Sequence, residues 1–101
     1  MLIFNTTYKV SGSQNDNWLN WIREHHIPFM LSSGDFSKPQ TTKIVGSEDN
    51  EGISYSVQFH ICDMPALIQW HKEFATTFQN SCKAAFGEEV SFFSTVLEII
   101  E

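Results

Sequence analysis

Ile53-Ser54-Tyr55-Ser56-Val57-Gln58-Phe59-His60-Ile61-Cys62 alternates without a break between large apolar and polar side chains. Successive side chains of a strand point to opposite faces, so this stretch predicts a β-strand with two chemically different sides. Ile53, Tyr55, Val57, Phe59 and Ile61 are expected to cover a core. Ser54, Ser56, Gln58, His60 and Cys62 then point the opposite way.

Working outward, Gly46-Ser47-Glu48-Asp49-Asn50-Glu51-Gly52 reads as a turn with an acidic tip, and residues 40–45 as a weaker strand that closes a hairpin. Residues 2–10 form a first strand, with Leu2, Phe4, Tyr8 and Val10 on one side and Ile3, Asn5, Thr7 and Lys9 on the other. Between them, Asp16 or Ser13 can cap a helix whose apolar positions Trp18, Leu19, Trp21, Ile22, His26 and Phe29 recur at helical spacing. Pro28 is expected to kink that helix or begin its final turn, and Gly34 to end it in a left-handed conformation. Asp63 beside Pro65 marks a second helix start. Leu67, Trp70, Phe74, Phe78, Cys82 and Ala85 form its apolar stripe, and Gly87 lies just past its end. A last strand over residues 91–100 sets Phe93, Thr95, Leu97 and Ile99 against Phe92, Ser94, Val96, Glu98 and Ile100.

The order β-α-β-β-α-β, in one domain over residues 1–101, is that of an α+β ferredoxin-like fold: a four-stranded antiparallel sheet with two helices on one face. Strands one and three are expected in the centre. The open face is expected to carry Asn5, Thr7, Ser54, Ser56, Gln58, His60, Ser94, Val96 and Glu98, with Ile3, Phe92 and Ile100 among them. An apolar component on an uncovered sheet suggests a second copy as its cover, so a homodimer through the open face is expected.

Composition narrows the function classes. The formal net charge is −6, with six scattered cations, Lys9, Arg23, Lys38, Lys43, Lys72 and Lys83. A phosphate backbone or an anionic membrane needs a concentrated basic patch, so neither is an expected partner. No apolar run reaches the ~18 residues of a membrane span, and the chain opens on a strand pattern without a basic start, which points to the cytoplasm. Cys62 and Cys82 show no metal or redox spacing, and the acidic residues near 48–51 and 88–89 read as solvated loops. Neither a metal site nor a cofactor motif is expected.

Three segments resemble a known family: His26-Ile27-Pro28 followed by Ser33-Gly34-Asp35-Phe36, then Ser54-Tyr55-Ser56-Val57-Gln58-Phe59, then Phe93-Ser94-Thr95-Val96-Leu97-Glu98-Ile99. They are similar to an uncharacterised family of small bacterial proteins, a domain of unknown function in the dimeric α+β barrel group of ferredoxin-like folds. The resemblance implies fold and dimer rather than chemistry. The wider group includes cofactor-independent monooxygenases, lactone isomerases, haem-degrading enzymes and ligand-binding members, which implies a possible pocket between sheet and helices.

Two histidines are the candidates for chemistry. His26 belongs to a segment in which Pro28 frees the carbonyl of Glu24, leaving a polar spot for a ligand or water; otherwise it is a partly buried structural histidine. His60, beside Gln58 on the polar face, can act as an acid or base near neutral pH or hydrogen-bond across a dimer. Asn5, Thr7, Ser56, Gln58, His60 and Ser94 form the candidate ligand-binding set. The sequence reading is therefore a small dimeric binding or interaction module, with a cofactor-independent isomerase or monooxygenase as the alternative.

Overall fold

A computed structural model describes residues 1–101. The alternating stretch is strand β3, Ile53–Ile61, and it pairs antiparallel with β1, Leu2–Val10. Strand β2, Phe36–Lys43, lies outside β3, and β4, Val90–Glu98, lies outside β1. The sheet order is β2-β3-β1-β4, as expected of the ferredoxin-like topology. Helices cover one face only, so the molecule is a two-layer slab with extents of 39 × 31 × 19 Å. None of its helices is long and apolar enough to cross a membrane.

The first helical stretch has three parts: α1, Asn15–Trp21, a π-helical turn, Ile22–His26, and α2, Ile27–Ser32. The wide turn places the Ile27 N–H on the Ile22 carbonyl, five residues back. Pro28 follows and has no N–H to give Glu24, which removes one α-type bond at this point. The consequence is a change of phase. Trp18, Ile22, His26 and Met30 are all buried, yet a spacing of four at every step drifts off the face of a regular 3.6-residue helix. One wide turn returns them to the sheet. Neither Asp16 nor Ser13 caps this helix: Asp16 lies in the first turn, and the 3-10 turn Gly12–Gln14 leads in without a side-chain cap bond.

Helix α3, Met64–Phe86, begins as expected. The Asp63 carboxylate accepts the Ala66 N–H at 3.0 Å, and Pro65 sits in the first turn. Leu67, Trp70, Phe78 and Cys82 face the sheet, and Gly87 ends the helix at φ 58. The core is aromatic: Trp70 lies 5.0 Å from Phe36 and 5.7 Å from Phe4, while Trp18 stacks on Tyr55 at 4.7 Å.

Two strand assignments change. Strand β2 starts four residues earlier than expected, at Phe36, whose ring anchors it to the core. It passes through Pro39 by way of a bulge between Ser37 and Gln40, with Lys38 at φ 50. In β4 the two faces are exchanged. Phe92 lies opposite Tyr8 and Ser94 opposite Thr6, so Phe92, Ser94, Val96 and Glu98 face the helices, and Ser91, Phe93, Thr95 and Leu97 face outward. Alternation alone could not decide this, because both faces of β4 carry large apolar side chains; its register against β1 does.

Candidate functional site

Four rows of side chains cross the open face in register. At one end Ser37, His60, Ile3 and Leu97 are neighbours; next come Gln40, Gln58, Asn5 and Thr95; then Thr42, Ser56, Thr7 and Phe93. Ser54, Lys9 and Ser91 form the fourth. The fold thus assembles five of the six expected ligand-face residues: Asn5, Thr7, Ser56, Gln58 and His60. Ser94 is not among them. It lies on the helix side, its hydroxyl 2.9 Å from that of Thr6. Thr95 takes its place, and the sequence reading missed it because it assigned β4 the opposite phase.

Asn5 organises the centre. Its Nδ2 donates to Thr95 at 3.1 Å and to Thr7 at 3.3 Å, while its Oδ1 accepts from the Ser56 hydroxyl. Both amide donors and the carbonyl are therefore engaged, and the side chain is buried with no layer above it. Gln58 reaches the Ser56 hydroxyl at 3.5 Å. Such a ladder stabilises the sheet across strands, while the Thr7 and Thr95 hydroxyl donors and the Gln58 carbonyl are not engaged by it.

The acidic tip is structured by ion pairs. Lys9 Nζ meets Asp49 Oδ2 at 2.9 Å, and Lys43 pairs with Glu48. The hydrogen bond from Lys9, then that from the Glu51 N–H, holds the Asp49 carboxyl below the usual carboxylate range. A hydrogen bond to Glu48 raises the Lys43 ammonium. Nowhere in the chain do three His, Cys, Asp or Glu side chains converge as metal ligands.

His26 stands elsewhere, in the layer between helices and sheet. The π-helical turn directs it inward, where it is 2% exposed. It stacks on Trp21 at 5.2 Å and meets Phe78, Phe59 and Tyr8 at 5.5, 6.0 and 6.3 Å. Its Nδ1 has no partner. Burial lowers its pKa to about 4, raises the Cys82 thiol to about 11, and raises the Tyr8 phenol well above the tyrosine range. No large surface hollow reaches His26: the nearest by sequence, about 350 Å³, is lined by Trp21, Glu24 and His25. His60 lines none of the larger hollows either. The two histidines therefore sit on opposite sides of the sheet and cannot act together.

Burial of neutral His26 has a pH consequence. The unfolded chain takes up a proton near pH 6.5 and the folded chain only near pH 4. Stability from this group is complete above pH 6.5 and falls as pH drops between those values, by about 2 kcal/mol at pH 5. Urea unfolding at pH 7 and pH 5 should show that loss in the wild type and a smaller one in His26→Phe. Equal losses in both proteins would refute the assignment.

A two-layer α+β protein of ferredoxin-like topology with one bare sheet face is the class that this geometry defines. The chain belongs to the DUF4286 family, a domain of unknown function, whose model matches residues 1–100. Solved structures share the fold at low identity. A dimeric ferredoxin-like protein from an uncultured marine organism is 9% identical with a TM-score of 0.75, covering 99% of this chain and 95% of its own. HapK from Hahella chejuensis is 14% identical with a TM-score of 0.72, covering 99% and 93%. A candidate antibiotic biosynthesis monooxygenase from Deinococcus radiodurans is 15% identical with a TM-score of 0.68, covering 100% and 94%. No curated protein sequence matches the chain.

Proposed function

We propose that this protein is a non-catalytic homodimeric binding or interaction module whose open sheet face receives the second copy. The observation that carries the reading is the state of that face. Phe93, 63% exposed, and Leu97, 43% exposed, stand bare on it beside the Asn5 ladder, an apolar surface of the kind that a protein partner covers. A structural neighbour described as a dimeric ferredoxin-like protein adds support from a shared fold. The free thiols of Cys62, exposed, and Cys82, buried, suit a reducing compartment, and we propose the cytoplasm.

Sedimentation equilibrium at roughly tens of micromolar chain tests the dimer, because self-association shifts with concentration. The wild type should sediment as a dimer. Phe93→Asp should weaken association at least tenfold with unchanged circular dichroism, since an exposed aromatic at a contact centre is the type of residue that dominates binding. A monomeric wild type sinks the proposal.

The alternative, a cofactor-independent isomerase or monooxygenase, has one specific observation in its favour, the buried and unpartnered Nδ1 of His26. Against it, His26 is closed in by Trp21, Tyr8, Phe59 and Phe78, and a pKa of about 4 makes it a weak base at neutral pH.

A further inference from the structure

The four rows that cross the open face hold no Asp or Glu, although the chain carries twelve. Lys9 and His60 are the only side chains in those rows that carry or readily take up charge. Lys9 is neutralised by Asp49 at 2.9 Å, in the row at the far end of the face. His60 has no such partner. It stands six residues along β3 from Ser54, the neighbour of Lys9, which is about 20 Å at ~3.4 Å per strand residue. In its own row it lies between Ser37 of β2 and Ile3 of β1, with Leu97 of β4 beyond. Charged groups reach its surroundings only from the rim. Lys38 belongs to the adjoining bulge of β2, the Met1 amine continues β1 past Ile3, and the Cys62 thiol follows on β3 itself. Among carboxylates, Asp63 turns away to cap α3, while Asp35 and Glu101 lie past the ends of β2 and β4. None of them pairs with His60, since the ion pairs of the chain are Lys9–Asp49 and Lys43–Glu48.

We propose that His60 gates self-association: the second copy closes over the open face while the imidazole is neutral, and mild acid releases it. The inference rests on the homodimer proposed above and gives that contact a regulator. A cation covered by a second sheet loses its water, and the partner, being the same chain, brings an equally carboxylate-free surface against it. A neutral imidazole escapes that cost, because one ring nitrogen donates and the other accepts, and a face rich in Ser, Thr and Gln can meet both. Free imidazole titrates near pH 6.5, so the change falls just below neutrality. A two-fold dimer holds two copies of the group, so two protons oppose closure and the response steepens. The absence of carboxylates also explains why an acidic chain can meet itself here. Two chains of formal net charge −6 repel each other, and this face adds least to that repulsion at contact. Acid lowers the overall negative charge, which by itself tightens a dimer, so release on acidification marks a local cation.

Sedimentation equilibrium at pH 7.5 and pH 6.0 tests the gate, with circular dichroism confirming the fold of each protein at both. Exclusion of both protons predicts that the wild-type dissociation constant rises about 14-fold between these values for two ordinary imidazoles. His60→Gln and His60→Leu, which take up no charge, should stay dimeric with the same dissociation constant at both. His60→Lys, charged at both, should associate weakly at both. His71→Gln, on the exposed side of α3, should respond as the wild type does. A wild-type dimer that is unchanged or tighter at pH 6.0, or a response that persists in both neutral variants, overturns the gate and leaves the homodimer standing. A wild-type monomer at both pH values overturns the homodimer and the gate together.

Discussion

Trp70→Ala is expected to lower folding stability by about 3–5 kcal/mol, a large share of the ~5–15 kcal/mol available to a domain of this size. Trp70 is the side chain through which α3 holds the sheet. It is buried, and its ring lies 5.0 Å from Phe36, 5.7 Å from Phe4 and Phe78, and 6.2 Å from Phe74. Phe36 belongs to the edge strand β2 and Phe4 to the central strand β1, so one indole joins edge, centre and helix. Alanine removes the transfer energy of the ring and leaves a cavity that four aromatic neighbours and the backbone cannot fill by small shifts. Urea unfolding should show a lower midpoint at an unchanged slope, with Phe74→Ala, only partly buried, losing less. A Trp70→Ala loss below about 1 kcal/mol would mean that this cluster does not hold the layers together.

Gly52→Ala is expected to cost about 3 kcal/mol or more, through the backbone rather than a cavity. Gly52 has φ +142, and a Cβ there would stand 2.0 Å from the Val10 carbonyl oxygen and 2.7 Å from its carbon. The obstruction is main chain, and Val10 cannot yield because it is paired on both sides, to Ile53 and to Val90. The turn that carries Asp49 and its bond to Lys9 must therefore lift away. Two other glycines provide the scale. Gly46 has φ +83 but open space, so Gly46→Ala should cost about 1 kcal/mol from conformation alone. Gly12 has neither constraint, and Gly12→Ala should fall within about 0.5 kcal/mol of the wild type. Thermal melts of the three variants should rank in that order. Gly52→Ala and Gly46→Ala with equal losses would show that the close approach to Val10 is unimportant.

Legibility in the sequence followed the strength of local contrast. Residues 53–62 alternate cleanly, and β3 came out with its faces assigned. Asp63, Pro65 and the aromatic stripe likewise defined α3, because a cap, a fixed φ and a helical period agree there. Local signals conflict elsewhere in the chain. Pro39 suggested that β2 begins after it, yet an edge strand can take a proline at a bulge, and buried Phe36 extends the strand back. In the helix before it, the buried set Trp18, Ile22, His26 and Met30 needs a wide turn that local spacing does not announce, since four-residue steps pass for ordinary helix over any short window.

The candidate face was legible to the same degree. Asn5, Thr7, Ser56, Gln58 and His60 lie on strands whose alternation is unambiguous, and the open face brings them together. Thr95 and Ser94 lie on a strand with Phe at two consecutive positions, and their places were exchanged.

Local chemistry thus determined the elements, their order and the two-sided character of the central strand, because backbone periodicity and side-chain polarity act within a few residues along the chain. Only the tertiary structure decided what crosses between elements: which face β4 presents, that Asn5 is satisfied by Ser56 and Thr95, that His26 is sealed beneath Trp21, and that the rows of the open face hold His60 and Lys9 but no carboxylate. These depend on register and layer coverage, which pair residues some 50 to 90 positions apart, and no local pattern encodes that pairing when both faces of a strand are apolar.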